Sequence, residues 1–260
     1  NAFDDEDGDL SHLVVISGEV DPGTLGGYTL KYNVADLTGN VATEITRTVQ
    51  VAAAPTAISL DKSTLDENSP AGTVVGTFSV TDQDTDDTHM LELVDGPDNS
   101  DNEHFEIVDG KLIAKVVFDH EQNAGATILV RAGDSFGLTL VKELSIGIAN
   151  VNEKPDGLAI DNNVILENHP PGTVGGNLLA TDPDADDTHT FALSDVAQFP
   201  DNAAFSIADN VLQLSASPDF ETKTFYNLNI KAVDAGGLAH DQSIEVEILD
   251  DKTEDSDGDG

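Results

Sequence analysis

Carboxylates recur along this sequence at fixed spacings that suit a divalent cation. An early Glu67 is followed by Asp82-x-Asp84, Asp119-x-Glu121 and a late Asp134; the set returns as Glu167, Asp182-x-Asp184, Asp219-x-Glu221 and Asp234. Calcium takes roughly six to eight oxygen ligands from carboxylates, amide oxygens and backbone carbonyls. An Asp-x-Asp inside a strand turns both carboxylates to one face, and at a strand end the two can converge on one ion. Like charges packed this closely repel unless a cation lies among them.

Other chemistries fit less well. Paired carboxylates could perform acid–base hydrolysis, but their recurrence at matching rim positions is explained more simply by metal ligation. There is no Gly-x-Ser-x-Gly and no phosphate-cradling glycine loop, so no enzymatic activity is expected. His89 and His189 sit at matching places without a His-Glu-x-x-His or Cys/His partner for zinc; each is expected to bond to its own turn. Tyr28, Tyr32 and Tyr226 alternate into core faces, leaving no obvious platform for stacking a sugar. Gly72, Gly76, Gly172, Gly175 and Gly176 read as bends and bulges.

Fifty acidic residues against 11 basic ones give a net charge of −39 over 260 residues. That field repels phosphate backbones and anionic lipid surfaces, so nucleic acid and membrane surfaces are poor partners. No apolar run is long enough to span a bilayer in this fragment. There is no cysteine, and small secreted domains without disulfides need another staple, for which a metal ion serves.

The elements that must position these residues are strands. Shifting the chain by 100 aligns residues 67–148 with 167–248 without a gap: Pro70-x-Gly72-Thr73-Val74 returns as Pro170-x-Gly172-Thr173-Val174, and Thr81 to His89 as Thr181 to His189. Apolar residues alternate with period two, as at Ile128, Val130 and Ala132, or Leu228, Ile230 and Ala232, which is the pattern of half-buried strands. Asp109-Gly110 and Asp209-Asn210 sit where a tight hairpin turn belongs. About seven short strands in ~95 residues make one Greek-key β-sandwich per repeat, so the fold class is all-β, an elongated array of tandem sandwiches. The boundaries fall at 1–53, 54–152, 153–249 and an acidic tail 250–260, with linkers Ala52-Ala53-Ala54-Pro55 and Asn150-Val151-Asn152-Glu153-Lys154-Pro155. In the first segment Tyr28, Leu30, Tyr32 and Val34 share one strand face, Leu37 to Asn40 is a turn, and Ala42–Val51 a final strand.

On these motifs the repeats, over about 56–249 or three quarters of the chain, resemble cadherin repeats of the bacterial cadherin-like kind. The resemblance implies that the early Glu, the Asp-x-Glu and the linker come from one repeat. The Asp-x-Asp and late Asp come from the next, and together they hold up to three calcium ions. Carried over, one junction is complete: Glu67, Asp119, Glu121, Asn150, Asn152 and Glu153 facing Asp182, Asp184 and Asp234, with backbone carbonyls from Val151 and Lys154. The family linker usually reads Asp-x-Asn-Asp-Asn-x-Pro; this one is a residue shorter, with Asn150 in place of Asp and a cationic Lys154. Before the first repeat the alanine linker brings no carboxylates, so Asp82, Asp84 and Asp134 form half a site that Asp86 or Asp87 could complete locally. Glu167, Asp219, Glu221, Asp250 and Asp251 form another half. Asp7-Gly8-Asp9, Val20 to Gly23 and Gly27-Tyr28-Thr29 resemble a partial immunoglobulin-like domain of bacterial surface proteins. Asp255-x-Asp257-x-Asp259-Gly260 resembles the opening of a thrombospondin type 3 calcium loop. The resemblance implies a non-catalytic, extracellular adhesion module at a bacterial cell surface. Its partners would be adjacent repeats of one long chain, with homophilic contacts or polysaccharide as further candidates. The alternative is a calcium-dependent carbohydrate-binding or accessory region of a large secreted enzyme.

Overall fold

The computed structural model describes residues 1–96 and 101–253, so the Asp255–Asp259 motif lies outside the described residues. The chain divides into two compact units, Asn1–Ala149 and Asn150 onward. Among the described residues the elements are strands and three short 3-10 turns.

The first unit opens with β1 (Phe3–Asp4), β2 (Gly8–Asp9), β3 (Val15–Ser17), β4 (Gly26–Asn33) and β5 (Ile45–Val51). β3, β4 and β5 form one antiparallel sheet. Tyr28, Leu30 and Tyr32 alternate with exposed neighbours on β4 as their spacing requires, but all three are only half-buried. The turn after Val34 is closed by Asp36, whose Oδ1 accepts the backbone N–H groups of Thr38 and Asn40, both at 2.8 Å, and whose Oδ2 accepts Asn40 Nδ2 at 2.7 Å.

Eight further strands of this unit build a sandwich: β6 (Ala57–Leu60), β7 (Thr64–Asp66), β8 (Val74–Thr81), β9 (Met90–Leu93), β10 (Phe105–Val108), β11 (Lys111–Ala114), β12 (Gly125–Gly133) and β13 (Thr139–Ala149). One sheet runs β10-β11-β8-β6 and the other β7-β13-β12-β9. The short β7 lies parallel to β13 and all other pairs are antiparallel. Alternation on β12 is complete, with Ala126, Ile128, Val130 and Ala132 buried against Ile58, Leu112 and Ile146 between the sheets. Each fully buried Leu or Ile contributes roughly 1.5–3 kcal/mol through the hydrophobic effect. Asp109 and Gly110 both take positive φ, at 50° and 72°, the two-residue turn that matches strand twist. A bulge opposite Leu112 and Ile113 falls between Val74 and Gly76.

The second unit repeats the plan with β14 (Gly157–Ile160), β15 (Val164–Leu166), β16 (Val174–Thr181), β17 (Thr190–Leu193), β18 (Phe205–Ala208), β19 (Val211–Leu214), β20 (Phe225–Val233) and β21 (Ala239–Leu249). Its sheets run β14-β16-β19-β18 and β15-β21-β20-β17. Leu158, Leu212, Leu228, Ile230, Val246 and Ile248 fill the core. Asp209 and Asn210 form the equivalent hairpin with φ of 50° and 64°.

Candidate metal centres

Among the described residues, four groups of metal-competent side chains lie at the ends of the sandwiches, two in each unit. Each contains three residues whose ligand atoms are all within 4.8 Å of one another: Asp82–Asp87–His89 and Glu67–Asp119–Glu121 in the first, Asp182–Asp187–Asp234 and Glu167–Asp219–Glu221 in the second.

Glu67 follows β7, the strand that runs parallel to the end of β13. Its backbone N–H donates to Ala149 O at 3.0 Å, and Asn68, in the left-handed region at φ 57°, donates to Phe118 O at 2.9 Å. This clasp carries a carboxylate only 2% exposed under the loop between β11 and β12, where His120 N–H donates to Glu67 Oε2 at 2.8 Å. Asp119 is oriented by Gln122, whose Nε2 donates to Oδ2 at 2.6 Å and whose N–H donates to Oδ1 at 2.9 Å. Those bonds hold the Asp119 carboxyl below the usual range. Glu121 is held above it, by burial first and then by the charge of Glu67 and a hydrogen bond to it.

The second unit repeats the arrangement. Phe220 N–H donates to Glu167 Oε2 at 2.8 Å, and Asp251 N–H donates to Oε1 at 2.9 Å. Thr222 orients Asp219 through its N–H and its hydroxyl, both at 2.9 Å. Asp250 is half-buried. Glu221 is bonded to its own backbone N–H, which lowers it; burial and then the charges of Glu167, Asp219 and Asp250 outweigh that bond and raise its pKa.

At the opposite end of each sandwich the Asp-x-Asp follows β8 or β16. Asp182 Oδ1 accepts Asp184 N–H at 3.1 Å, and His189 Nε2 lies 2.8 Å from Oδ2. In the first repeat the distances are 3.0 Å for Asp84 N–H to Asp82 and 3.0 Å for His89 Nε2 to Asp82. The histidines therefore bond to an aspartate seven residues earlier, across the loop, rather than within their own turn. Asp184 holds the linker: Oδ1 accepts Asn150 Nδ2 and Oδ2 accepts Glu153 N–H, both at 2.8 Å. Asp234 Oδ1 accepts Leu238 N–H at 2.8 Å and Oδ2 accepts Asn152 Nδ2 at 3.0 Å. Burial pushes Asp234 up, but the bonds from Asn152 and Leu238 outweigh it and hold its carboxyl below the usual range.

The two repeats differ at this end. Residues 50–55 occupy the place of 150–155, and Ala53 N–H reaches Asp84 Oδ2 at 2.8 Å just as Glu153 N–H reaches Asp184. Ala52, however, has no amide to match Asn152, and Asp134 Oδ2 is buried with no hydrogen-bond partner. The hairpins differ as well: a Cβ on Gly236 would overlap the Asn152 side chain, whereas the equivalent position in the first repeat is Phe136. Gly236 makes room for a polar linker residue; Phe136 goes with a small one.

The structure thus gathers Glu67 with Asp119 and Glu121, Glu167 with Asp219 and Glu221, and Asp182 with Asp234, within single units. It adds Asp187, which sequence reasoning passed over although it lies in the repeated Asp-Asp-Thr-His block. Of Asp86 and Asp87, Asp87 is the one that groups with Asp82, while Asp86 is exposed. The donor set suits a hard cation: apart from His89, every ligand atom is a carboxylate oxygen, and Asp134 Oδ2 is an orphaned buried acceptor of the kind that an ion or a water satisfies.

The comparisons with known proteins agree with this architecture. The family model "Bacterial surface protein, Ig-like domain" matches residues 1–51. Cadherin-18 of Bos taurus is 31% identical over 124 residues, covering 45% of this chain and 15% of that one. Protocadherin gamma-C5 of Homo sapiens is 27% identical over 202 residues, covering 71% of this chain and 21% of that one. The extracellular cadherin domains 1–5 of protocadherin gamma B2 superpose with a TM-score of 0.56 at 20% identity, covering 88% of this chain and 47% of that one. The EC1–2 fragment of human protocadherin-24 superposes with a TM-score of 0.54 at 20% identity, covering 72% of this chain and 93% of that one. The two repeats have a cadherin-like fold. The chain spans about a fifth or less of these curated relatives, and at 20% identity the structural likeness establishes the cadherin-like fold.

Proposed function

We propose that this chain is a non-catalytic, calcium-binding adhesion module of an extracellular or bacterial cell-surface protein. The observation that carries the reading is the recurrence of carboxylate groups at both ends of both sandwiches, each within 4.8 Å and preassembled by backbone N–H donors. Bound calcium supplies charge neutralisation and a stiff set of bonds to oxygen. The chain's part is to hold Glu67, Asp119 and Glu121, or Asp182, Asp187 and Asp234, close together despite their mutual repulsion. The bacterial setting is suggested by the immunoglobulin-like match over residues 1–51.

The same proposal takes Glu67, Asp119 and Glu121 to share ions with Asn150, Asn152, Glu153, Asp182, Asp184 and Asp234, as the linker sequence suggests. Shared ions would couple the sites, so Glu121→Gln and Asp182→Asn would be non-additive in their effects on calcium affinity, whereas independent sites give additive effects. At the first repeat, Asp82, Asp84, Asp87 and Asp134 receive no side-chain ligand from the alanine linker, so their affinity is the lower of the two. Small-angle scattering with and without chelator tests the mechanical consequence: a longer, stiffer particle with calcium is expected. Identical profiles in the two conditions would remove calcium's rigidifying role.

A further inference from the structure

His89 groups with Asp82 and Asp87 and His189 belongs to no group among the described residues, yet each is built into the same loop in the same way. Both follow an Asp-Asp-Thr segment in which Thr88 or Thr188 N–H donates to Asp87 or Asp187 Oδ1, at 2.7 and 2.8 Å. Asp87 and Asp187 N–H in turn donate to Asp84 and Asp184 O at 3.2 and 3.0 Å. The folded loop returns the imidazole to the start of the motif. The Asp82 and Asp182 side chains are only 2% and 3% exposed, and the imidazoles covering them 16% and 12%.

An ionised carboxylate cannot donate, so Nε2 carries the proton and donates to Oδ2. The other oxygen accepts the N–H two residues on. Both oxygens of the aspartate are therefore held from the protein side, and each keeps a second lone pair for a cation. In this tautomer Nε2 has no lone pair to offer a metal, although a ring nitrogen of His89 lies within 4.8 Å of carboxylate oxygens of Asp82 and Asp87. This is the outer-shell arrangement that orients metal ligands.

We propose that His89 and His189 are positioning residues that lock the carboxylates of Asp82 and Asp182 in the orientation calcium requires. The inference deepens the calcium reading and rests on it. Calorimetric titration of the full chain with calcium chloride at pH 8, above the ordinary imidazole range, tests it on three proteins: the natural chain, His189→Phe, which fills the space without a donor, and His189→Gln, whose amide restores one. His189→Phe is expected to weaken the tightest calcium step about 10- to 100-fold, His189→Gln to recover most of that loss, and the melting midpoint in chelator to stay close to that of the natural chain for both. Unchanged calcium affinity in His189→Phe overturns the inference while leaving the calcium reading intact. So does a Gln variant as weak as the Phe variant with a lowered midpoint in chelator, which marks the histidine as merely structural. If the natural chain itself takes up no calcium, both readings fall.

Discussion

Replacing Glu67 by Gln is expected to change stability in opposite directions with and without calcium. In chelator, Glu67 is a buried carboxylate sharing a space with Asp119 and Glu121. A Gln keeps an oxygen for His120 N–H and gains an amide that donates to Glu121 where two carboxyl groups now compete. The midpoint in chelator is therefore expected to hold or rise. With calcium the change removes a ligand and a charge. At an extracellular-type affinity of ~10⁻⁴ M and ~10 mM calcium, one site stabilises by about 2.7 kcal/mol. Outer-shell changes alone weaken metal sites about 10- to 100-fold, so a lost ligand is expected to weaken binding by at least the upper figure, leaving about 0.4 kcal/mol of linkage. The difference of about 2.3 kcal/mol falls on the unit Asn1–Ala149, where each kcal/mol moves the midpoint by roughly 2–4 °C. Differential scanning calorimetry should then show this unit's transition about 5–9 °C lower than the natural chain in calcium, and no lower in chelator. Equal losses in both conditions would refute the reasoning, because they would make Glu67 a packing residue rather than a ligand.

Three other outcomes follow from the geometry. Gly236→Ala should displace Asn152 from Asp234, lowering calcium affinity and the second unit's midpoint together; a normal midpoint and affinity would mean the linker amide is dispensable. Ala52→Asn should raise calcium affinity at the first repeat only when combined with Phe136→Gly, since at the equivalent Gly236 a Cβ would overlap the amide; an equal gain from the single change would contradict that account. The Asp36 carboxyl, lowered to about 2 by the Asn40 and then the Thr38 side chains, contributes stability that is fully present above its ordinary range near pH 4 and is lost as pH falls through about 2. Carboxyl NMR titration should find its midpoint there and find it moved toward the ordinary value in Asn40→Ala, whereas an ordinary midpoint in the natural chain would rule out this lowering.

Much of this was legible in the residues. The offset of 100 placed Glu67 against Glu167 and Asp119 against Asp219, and period-two alternation placed Ile128, Val130 and Ala132 in a core, because strand geometry is local and repeats every second residue. Asp109-Gly110 announced its hairpin because its turn needs positive φ at both positions. What stayed hidden depends on how loops fold back. The reach of His189 to Asp182, the grouping of Asp187 with Asp234, and the exchange of Asn152 with Gly236 for Ala52 with Phe136 join residues whose spacing carries no periodic signal.

The claim on which the rest depends is that these carboxylate groups bind calcium, and calorimetric calcium titration of the natural chain beside Asp182→Asn tests it most directly. The account predicts saturable binding in the range of about 10⁻⁵–10⁻³ M, with the tightest step weakened in the variant. A natural chain that gives no binding heat, and whose melting midpoint is the same in calcium and in chelator, would contradict it.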